Sequence, residues 1–87
     1  MITIETAKSI VDKLIPNGFH ITSIKEGNLY WYFGVKSDDG LPLPGISPIV
    51  IDKKTGNSTG IPSAPYYVRN EDPLPIELDY ENAITIM

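Results

Sequence analysis

The chain has 87 residues, no cysteine and a net charge of −4, and 41% of its residues are hydrophobic. This length predicts a single domain over residues 1–87, and the apolar fraction is too high for a disordered chain. The composition excludes disulfides and cysteine-based metal sites, and no apolar run approaches the ~20 residues of a membrane span. Residues 1–5 lack the basic and apolar regions of a signal peptide, so we expect a cytoplasmic protein.

The charge is distributed unevenly along the chain. Residues 1–69 carry seven basic and six acidic groups, whereas residues 70–87 carry five acidic groups and neither Lys nor Arg. Such a segment repels phosphate, which disfavours nucleic acid and anionic membrane surfaces as partners. A basic protein is the kind of partner that this segment can attract.

Near the N-terminus, apolar residues recur at the i, i+3, i+4, i+7, i+8 spacing of one helix face. They are Ala7, Ile10, Val11, Leu14 and Ile15. Thr3 can cap the start of this helix, and Pro16 disfavours helical geometry in the residue before it. The pattern predicts a helix over about residues 4–15 that ends near Leu14.

Two strands are predicted next, over residues 19–25 and 29–36. In the second, Leu29, Trp31, Phe33 and Val35 share one face, which we expect to pack on the helix. The opposite face carries Tyr30 and Tyr32 and is expected to stay half exposed.

The middle of the chain predicts a connector and a hairpin. Residues 41–48 hold three prolines and favour an extended connector. Residues 49–51 are β-branched and predict a strand, and residues 57–61 predict a weak return strand. Between them, Asp52 can accept hydrogen bonds from the turn backbone, and Gly56 can adopt the positive φ that ends such a turn.

The C-terminal third has weaker signals. Residues 66–68 predict a short edge strand, and residues 70–79 look irregular because of Pro73 and Pro75. Apolar residues then alternate with polar ones toward residue 86, so we expect this end to dock on the domain. The predicted fold class is α+β, with the N-terminal helix packed on an antiparallel sheet of about four strands.

Catalytic and metal-binding patterns are weak in this sequence. His20 is the single histidine, and without a nucleophile elbow it reads as a surface strand residue. Residues 38–40 lack the ligand pattern of a calcium loop and predict a turn. Asp79 and Glu81 would both stay ionised in an acidic tail. We therefore predict no catalytic residue, no metal site and no cofactor.

Tyrosines and acidic residues are the candidates for binding a protein partner. Tyrosine is enriched at interface hot spots, and acidic groups steer basic partners. The candidate partner-binding residues are Tyr30, Tyr32, Tyr66, Tyr67, Glu71, Asp72, Glu77, Asp79 and Glu81.

The order of motifs resembles one family. The N-terminal helix is followed by a strand bearing Trp31 and then by the stretch LPGISPIVIDKKTG over residues 43–56, with PYYV at residues 65–68 running into Glu71 and Asp72. In that stretch Gly45 and Pro48 fit a Gly-x-x-Pro element. Over residues 3–72 this arrangement resembles the immunity protein 35 family, also called YrhB-like.

The family's Val-Asp-x-x-Thr-Gly hairpin corresponds to residues 51–56, with Ile51 where valine is common. The resemblance implies a small cytoplasmic antidote, encoded beside a bacterial toxin, that neutralises the toxin by direct binding. The acidic end after residue 72 lies outside the shared pattern.

Other interpretations stay open at this point. A strand ending in Asp-x-x-Thr-Gly is also typical of PepSY-like inhibitory domains, which predicts a regulatory module acting on a protease. A small enzyme or metal-binding protein is a third hypothesis, which the single histidine and the lack of cysteine disfavour. A homodimer formed through exposed edge strands is compatible with the first two.

Overall fold

The computed structural model describes residues 1–41, 48–62 and 64–87. Within these residues the chain forms three helices and one five-stranded antiparallel sheet. The elements are α1 (Ile4–Leu14), β1 (Phe19–Glu26), β2 (Tyr30–Ser37), β3 (Ile49–Asp52), β4 (Ser58–Thr59), α2 (Tyr66–Arg69), α3 (Pro75–Glu81) and β5 (Ile84–Thr85). The strand order is β4-β3-β2-β1-β5. The predicted α+β class is confirmed, and the sheet has one strand more than expected.

Helix α1 covers one face of the sheet, as predicted. The side chain of Thr3 accepts a hydrogen bond from the backbone N–H of Thr6, and the helix ends at Leu14 before Pro16. Its buried positions are Ala7 and Val11. The core they join is Ala7, Val11, Ile24, Trp31, Phe33, Val35, Ile49 and Ile51.

The turn between β3 and β4 also follows the prediction. Asp52 Oδ1 accepts hydrogen bonds from the backbone N–H groups of Lys54 and Thr55, at 2.7 and 3.2 Å. Gly56 has a φ of 77°, a conformation that glycine adopts without a steric penalty. The predicted connector over residues 41–48 falls largely on residues 42–47, which lie outside the described residues.

The predicted edge strand at residues 66–68 is wrong, because this segment is helix α2. Pro65 precedes the helix in extended geometry, and Asn70 ends it in the left-handed conformation with a φ of 56°. The aromatic and β-branched composition of residues 66–68 suits a strand, but strand propensity depends strongly on context. Here the two flanking residues fix a single helical turn instead.

The segment 70–79, expected to be irregular, contains most of helix α3. Pro75 occupies the first turn, where the missing N–H is not needed. Glu77 Oε1 accepts a hydrogen bond from the backbone N–H of Leu74 at 3.0 Å, which satisfies a donor at the start of the helix. Pro75, which the sequence suggests would interrupt regular structure, is therefore the first residue of helix α3.

Helix α3 covers the second face of the sheet, where a half-exposed tyrosine face was expected. Tyr32 is only 1% exposed, and its ring meets that of Tyr80 edge-on with centroids 4.9 Å apart. Tyr30 beside it is half-buried. Leu29, expected to pack on α1, lies in the turn before β2 and is 46% exposed.

The C-terminal end docks on the sheet as predicted. Strand β5 pairs antiparallel with β1, with Thr85 opposite Lys25 and Ile84 opposite Glu26. The backbone N–H of Ile86 then donates to the carbonyl of Ile24 at 2.9 Å. This short strand is the fifth member of the sheet.

Candidate functional site

A groove of about 160 Å³ opens beside helices α2 and α3, and we name it the α2–α3 groove. Apolar side chains from the preceding segment form one wall: Ile61, Pro62 and Pro65. Tyrosines and carboxylates line the remainder: Tyr66, Tyr67, Tyr80, Glu77 and Glu81. The groove thus brings together three of the predicted partner-binding residues that keep an accessible surface, namely Tyr66, Tyr67 and Glu81.

The rings of the two tyrosines of α2 lie against each other edge-on. Their rings lie nearly perpendicular, at 81°, with centroids 5.7 Å apart. Tyr66 is half-buried, whereas Tyr67 is 70% exposed. The charge of the Glu81 carboxylate raises the pKa of the Tyr66 phenol.

An ion pair between Arg69 and Glu77 joins α2 to α3. Arg69 Nη2 lies 2.8 Å from Glu77 Oε1, and Arg69 Nε lies 3.2 Å from Glu71 Oε2. The guanidinium also donates to the carbonyl of Ala64. The hydrogen bond from Arg69 lowers the pKa of Glu77, and the same bond raises the pKa of Arg69. Arg69, the one Lys or Arg among residues 64–87, therefore pairs with acidic groups of the chain itself.

Asp79 connects α3 to the turn between β1 and β2. Its Oδ1 accepts hydrogen bonds from the backbone N–H groups of Asn28 and Leu29, at 2.8 and 3.1 Å. Its Oδ2 accepts a 2.7 Å hydrogen bond from the hydroxyl of Tyr32. Burial, followed by this bond to Asp79, raises the pKa of Tyr32 far above its ordinary value. A Cβ on Gly27 would overlap the Asp79 carboxylate, so the turn requires glycine there.

Three of the predicted partner-binding residues are therefore buried and make hydrogen bonds within the domain. Tyr32, Glu77 and Asp79 are 1%, 5% and 8% exposed. Glu77 and Asp79, two of the five acids predicted to bind a partner, are buried, and each carboxylate accepts hydrogen bonds from within the domain. These two carboxylates are therefore not available to pair with a basic partner.

The other predicted residues keep accessible side chains. Glu71 and Asp72 are exposed between α2 and α3. Tyr30 lines a different cavity, of about 170 Å³, together with Lys53 and Lys54. The structure thus places Tyr66, Tyr67 and Glu81 at one groove, with Glu71 and Asp72 following α2 and Tyr30 at a separate cavity.

Two residues of this region escaped the sequence analysis. Arg69 was counted only as a charge, although its contacts with Glu71 and Glu77 organise the segment. Tyr80 is absent from the predicted binding residues, although its ring lies against Tyr32 and its ring centroid is 4.8 Å from Lys25 Nζ. The four-residue spacing between Ile76 and Tyr80 was the available signal, since it matches one helix face.

Outside the groove, the described residues present little that suggests metal chemistry. His20 is exposed, with Nδ1 3.4 Å from Asp38 Oδ1. Among residues 1–41, 48–62 and 64–87, no three His, Cys, Asp or Glu side chains are grouped so that they could hold a metal ion. In the same residues no helix combines the length and apolar character needed to cross a bilayer.

No family model, curated protein or solved structure matches this chain. The resemblance to the immunity protein 35 family stays a prediction from the motifs.

Proposed function

We propose that this chain is a non-enzymatic immunity protein that binds a basic toxin domain and blocks it by occlusion. The observation that carries the proposal is the surface of α2, α3 and the loop between them. It displays tyrosine rings and carboxylates together: Tyr66, Tyr67, Glu71, Asp72 and Glu81. We name these five residues the α2–α3 surface.

The electrostatics of this surface favour a basic partner. Residues 70–87 contain no Lys or Arg, and Arg69 is held by Glu71 and Glu77. Asp72 and Glu81 form no ion pair with any described residue. A surface of one sign raises the rate of association with a surface of the opposite sign. A toxin that acts on nucleic acid would carry such a basic cleft.

The tyrosines of this surface also favour binding to a protein partner. Its ring offers a large apolar contact and its hydroxyl a hydrogen bond, and few rotatable bonds are lost on binding. Tyr67 is mostly exposed, and its ring meets that of Tyr66 edge-on. The two rings together offer a partner one adjoining aromatic surface.

Co-expression with the product of the neighbouring gene tests this function. We expect growth to be rescued and the two proteins to elute as one complex in size-exclusion chromatography. Unchanged toxicity together with separate elution would contradict the proposal.

A charge-matched pair of variants then tests the surface. The first is Glu71→Gln/Asp72→Asn/Glu81→Gln, and the second replaces three exposed acids elsewhere, Glu5→Gln/Asp12→Asn/Asp39→Asn. Both variants lose three negative charges. We expect the first to lower the association rate about tenfold and to flatten its salt dependence, because local charge dominates at a Debye length of ~8–10 Å. Equal effects of the two variants would remove the α2–α3 surface from the interface.

A further inference from the structure

We propose that the α2–α3 groove receives the guanidinium group of a single arginine side chain from the partner protein. The inference rests on the proposed function, since it names the chemistry by which a basic partner would be recognised. It assigns the anchoring contact to Tyr66, Tyr67 and Glu81.

The size of the groove favours one side chain. Its volume is about 160 Å³, whereas pockets for small molecules and cofactors typically measure ~300–1,000 Å³. That space suits the end of one long side chain better than a whole metabolite.

The charge of the groove favours a cation. Glu77, at its base, is saturated by Arg69 and the backbone N–H of Leu74. Glu81 is exposed at the rim and pairs with none of the described basic groups. Arg69 does not neutralise Glu81, because it is committed to Glu71 and Glu77. Among its lining residues the groove therefore presents one carboxylate that forms no ion pair, Glu81 beside the Tyr66 phenol, and no basic group.

The aromatic lining favours arginine over lysine. A planar guanidinium stacks on a tyrosine ring while its N–H groups bond a carboxylate, whereas an ammonium is a compact, strongly hydrated charge. Rings from both helices line the groove: Tyr66, Tyr67 and Tyr80. Tyr80 already contacts a cation outside the groove, because its ring centroid lies 4.8 Å from the ammonium of Lys25, which does not line the groove.

The test uses the full chain and two blocked amino acids, N-acetyl-arginine amide and N-acetyl-lysine amide, in a ¹⁵N NMR titration. We expect saturable shifts at the amides of Tyr66, Tyr67 and Glu81 with the arginine probe. Stacking predicts affinity for arginine about two- to fivefold higher than for lysine. Shifts confined to other regions, or equal affinity for the two probes, would overturn the inference.

Two variants with the same net charge distinguish arginine binding in the groove from nonspecific electrostatic attraction to the protein. Glu81→Gln removes the groove carboxylate, whereas Asp72→Asn removes an exposed acid that does not line the groove. We expect Glu81→Gln to weaken arginine binding at least about fivefold, because it removes a charge-assisted hydrogen bond, and Asp72→Asn to leave it within twofold. Equal weakening of arginine binding by the two variants would reject the groove as the binding site. Both side chains are exposed, so an unchanged circular dichroism spectrum verifies the fold.

The two proposals fail in different ways. A toxin complex whose affinity is unaffected by Glu81→Gln would leave the proposed function standing and reject the arginine contact. Arginine binding in the groove without any toxin complex would reject the immunity function and keep the groove as a site for arginine-bearing proteins.

Discussion

The two faces of the sheet are stabilised by different kinds of interaction. The face under α1, which we name the α1 face, is closed by an apolar cluster that includes Val11, Phe33 and Val35. The face under α3, the α3 face, is closed by a tyrosine ring and a buried carboxylate, Tyr32 and Asp79. The α1 face excludes water chiefly by apolar area, and the α3 face depends in addition on hydrogen bonds to a buried carboxylate.

This difference determines how each face tolerates change. Apolar burial is non-directional, so the α1 face accepts substitutions that preserve volume. The carboxylate of Asp79 must instead reach three donors at once, two of them in the turn between β1 and β2. Every buried side-chain nitrogen and oxygen of the described residues has a hydrogen-bond partner. Removing one partner on the α3 face therefore leaves others unsatisfied.

The largest effect is expected from Phe33→Ala on the α1 face. Phe33 is fully buried between α1 and the sheet, and truncation of such a ring costs about 3–5 kcal/mol through lost burial and the remaining cavity. Urea unfolding measures the change. Leu14→Ala, at an exposed position of α1, is the control and should cost under about 1 kcal/mol. A Phe33→Ala protein as stable as the control would contradict the assignment of this core.

The next largest effect is expected from Asp79→Ala on the α3 face. The substitution leaves the N–H groups of Asn28 and Leu29 and the hydroxyl of Tyr32 without their acceptor, and we expect a loss of about 2–4 kcal/mol. Asp72→Ala, at an exposed position between α2 and α3, should change the free energy of unfolding by less than about 0.5 kcal/mol. Urea unfolding compares the two.

Tyr32→Phe sharpens the same test. It keeps the ring against Tyr80 and removes only the hydroxyl that donates to Asp79. We expect a loss of about 1–2 kcal/mol, and the double variant with Asp79→Ala should lose less than the sum of the single losses, because both remove one shared bond. Additive losses would show that the bond contributes nothing.

The α1 face could be predicted from the sequence because its signals are periodic and local. The apolar spacing of the N-terminal helix, the alternation from Trp31 to Val35 and the chemistry of Asp52 and Gly56 each have one dominant structural solution. Each of these elements also occurs in the structure. The prediction that Leu29 packs on α1 is wrong, because this residue lies in the turn before β2 begins.

The α3 face could not be predicted in the same way, because its partners are distant in sequence. Asp79 lies 50 and 51 residues from the backbone groups that it accepts from. Nothing in the local sequence distinguishes this carboxylate from an exposed one such as Asp72. The same holds for Glu77, whose burial depends on Arg69 lying across from it in α2. Local polarity therefore predicted that Glu77 and Asp79 bind a partner together with the exposed acids.

The smallest effect concerns the bond between α2 and α3 and depends on pH. Arg69 lowers the pKa of Glu77 below its ordinary value of 4.5. A carboxyl whose pKa is lower in the folded state stabilises the fold above its unfolded pKa, and this contribution is lost as the pH falls through the folded value. Glu77→Gln keeps an acceptor for the N–H of Leu74 but removes the charge.

We therefore expect Glu77→Gln to have a lower urea midpoint than the wild type at pH 7, and the two midpoints to converge as the pH falls below about 4.5. Asp39→Asn, an exposed acid in the turn after β2, is the control and should shift the midpoint little at either pH. A Glu77→Gln difference that persists unchanged at low pH would mean that the side chain acts by packing rather than by charge. In that case α2 would be attached to α3 by contacts of the kind found on the α1 face.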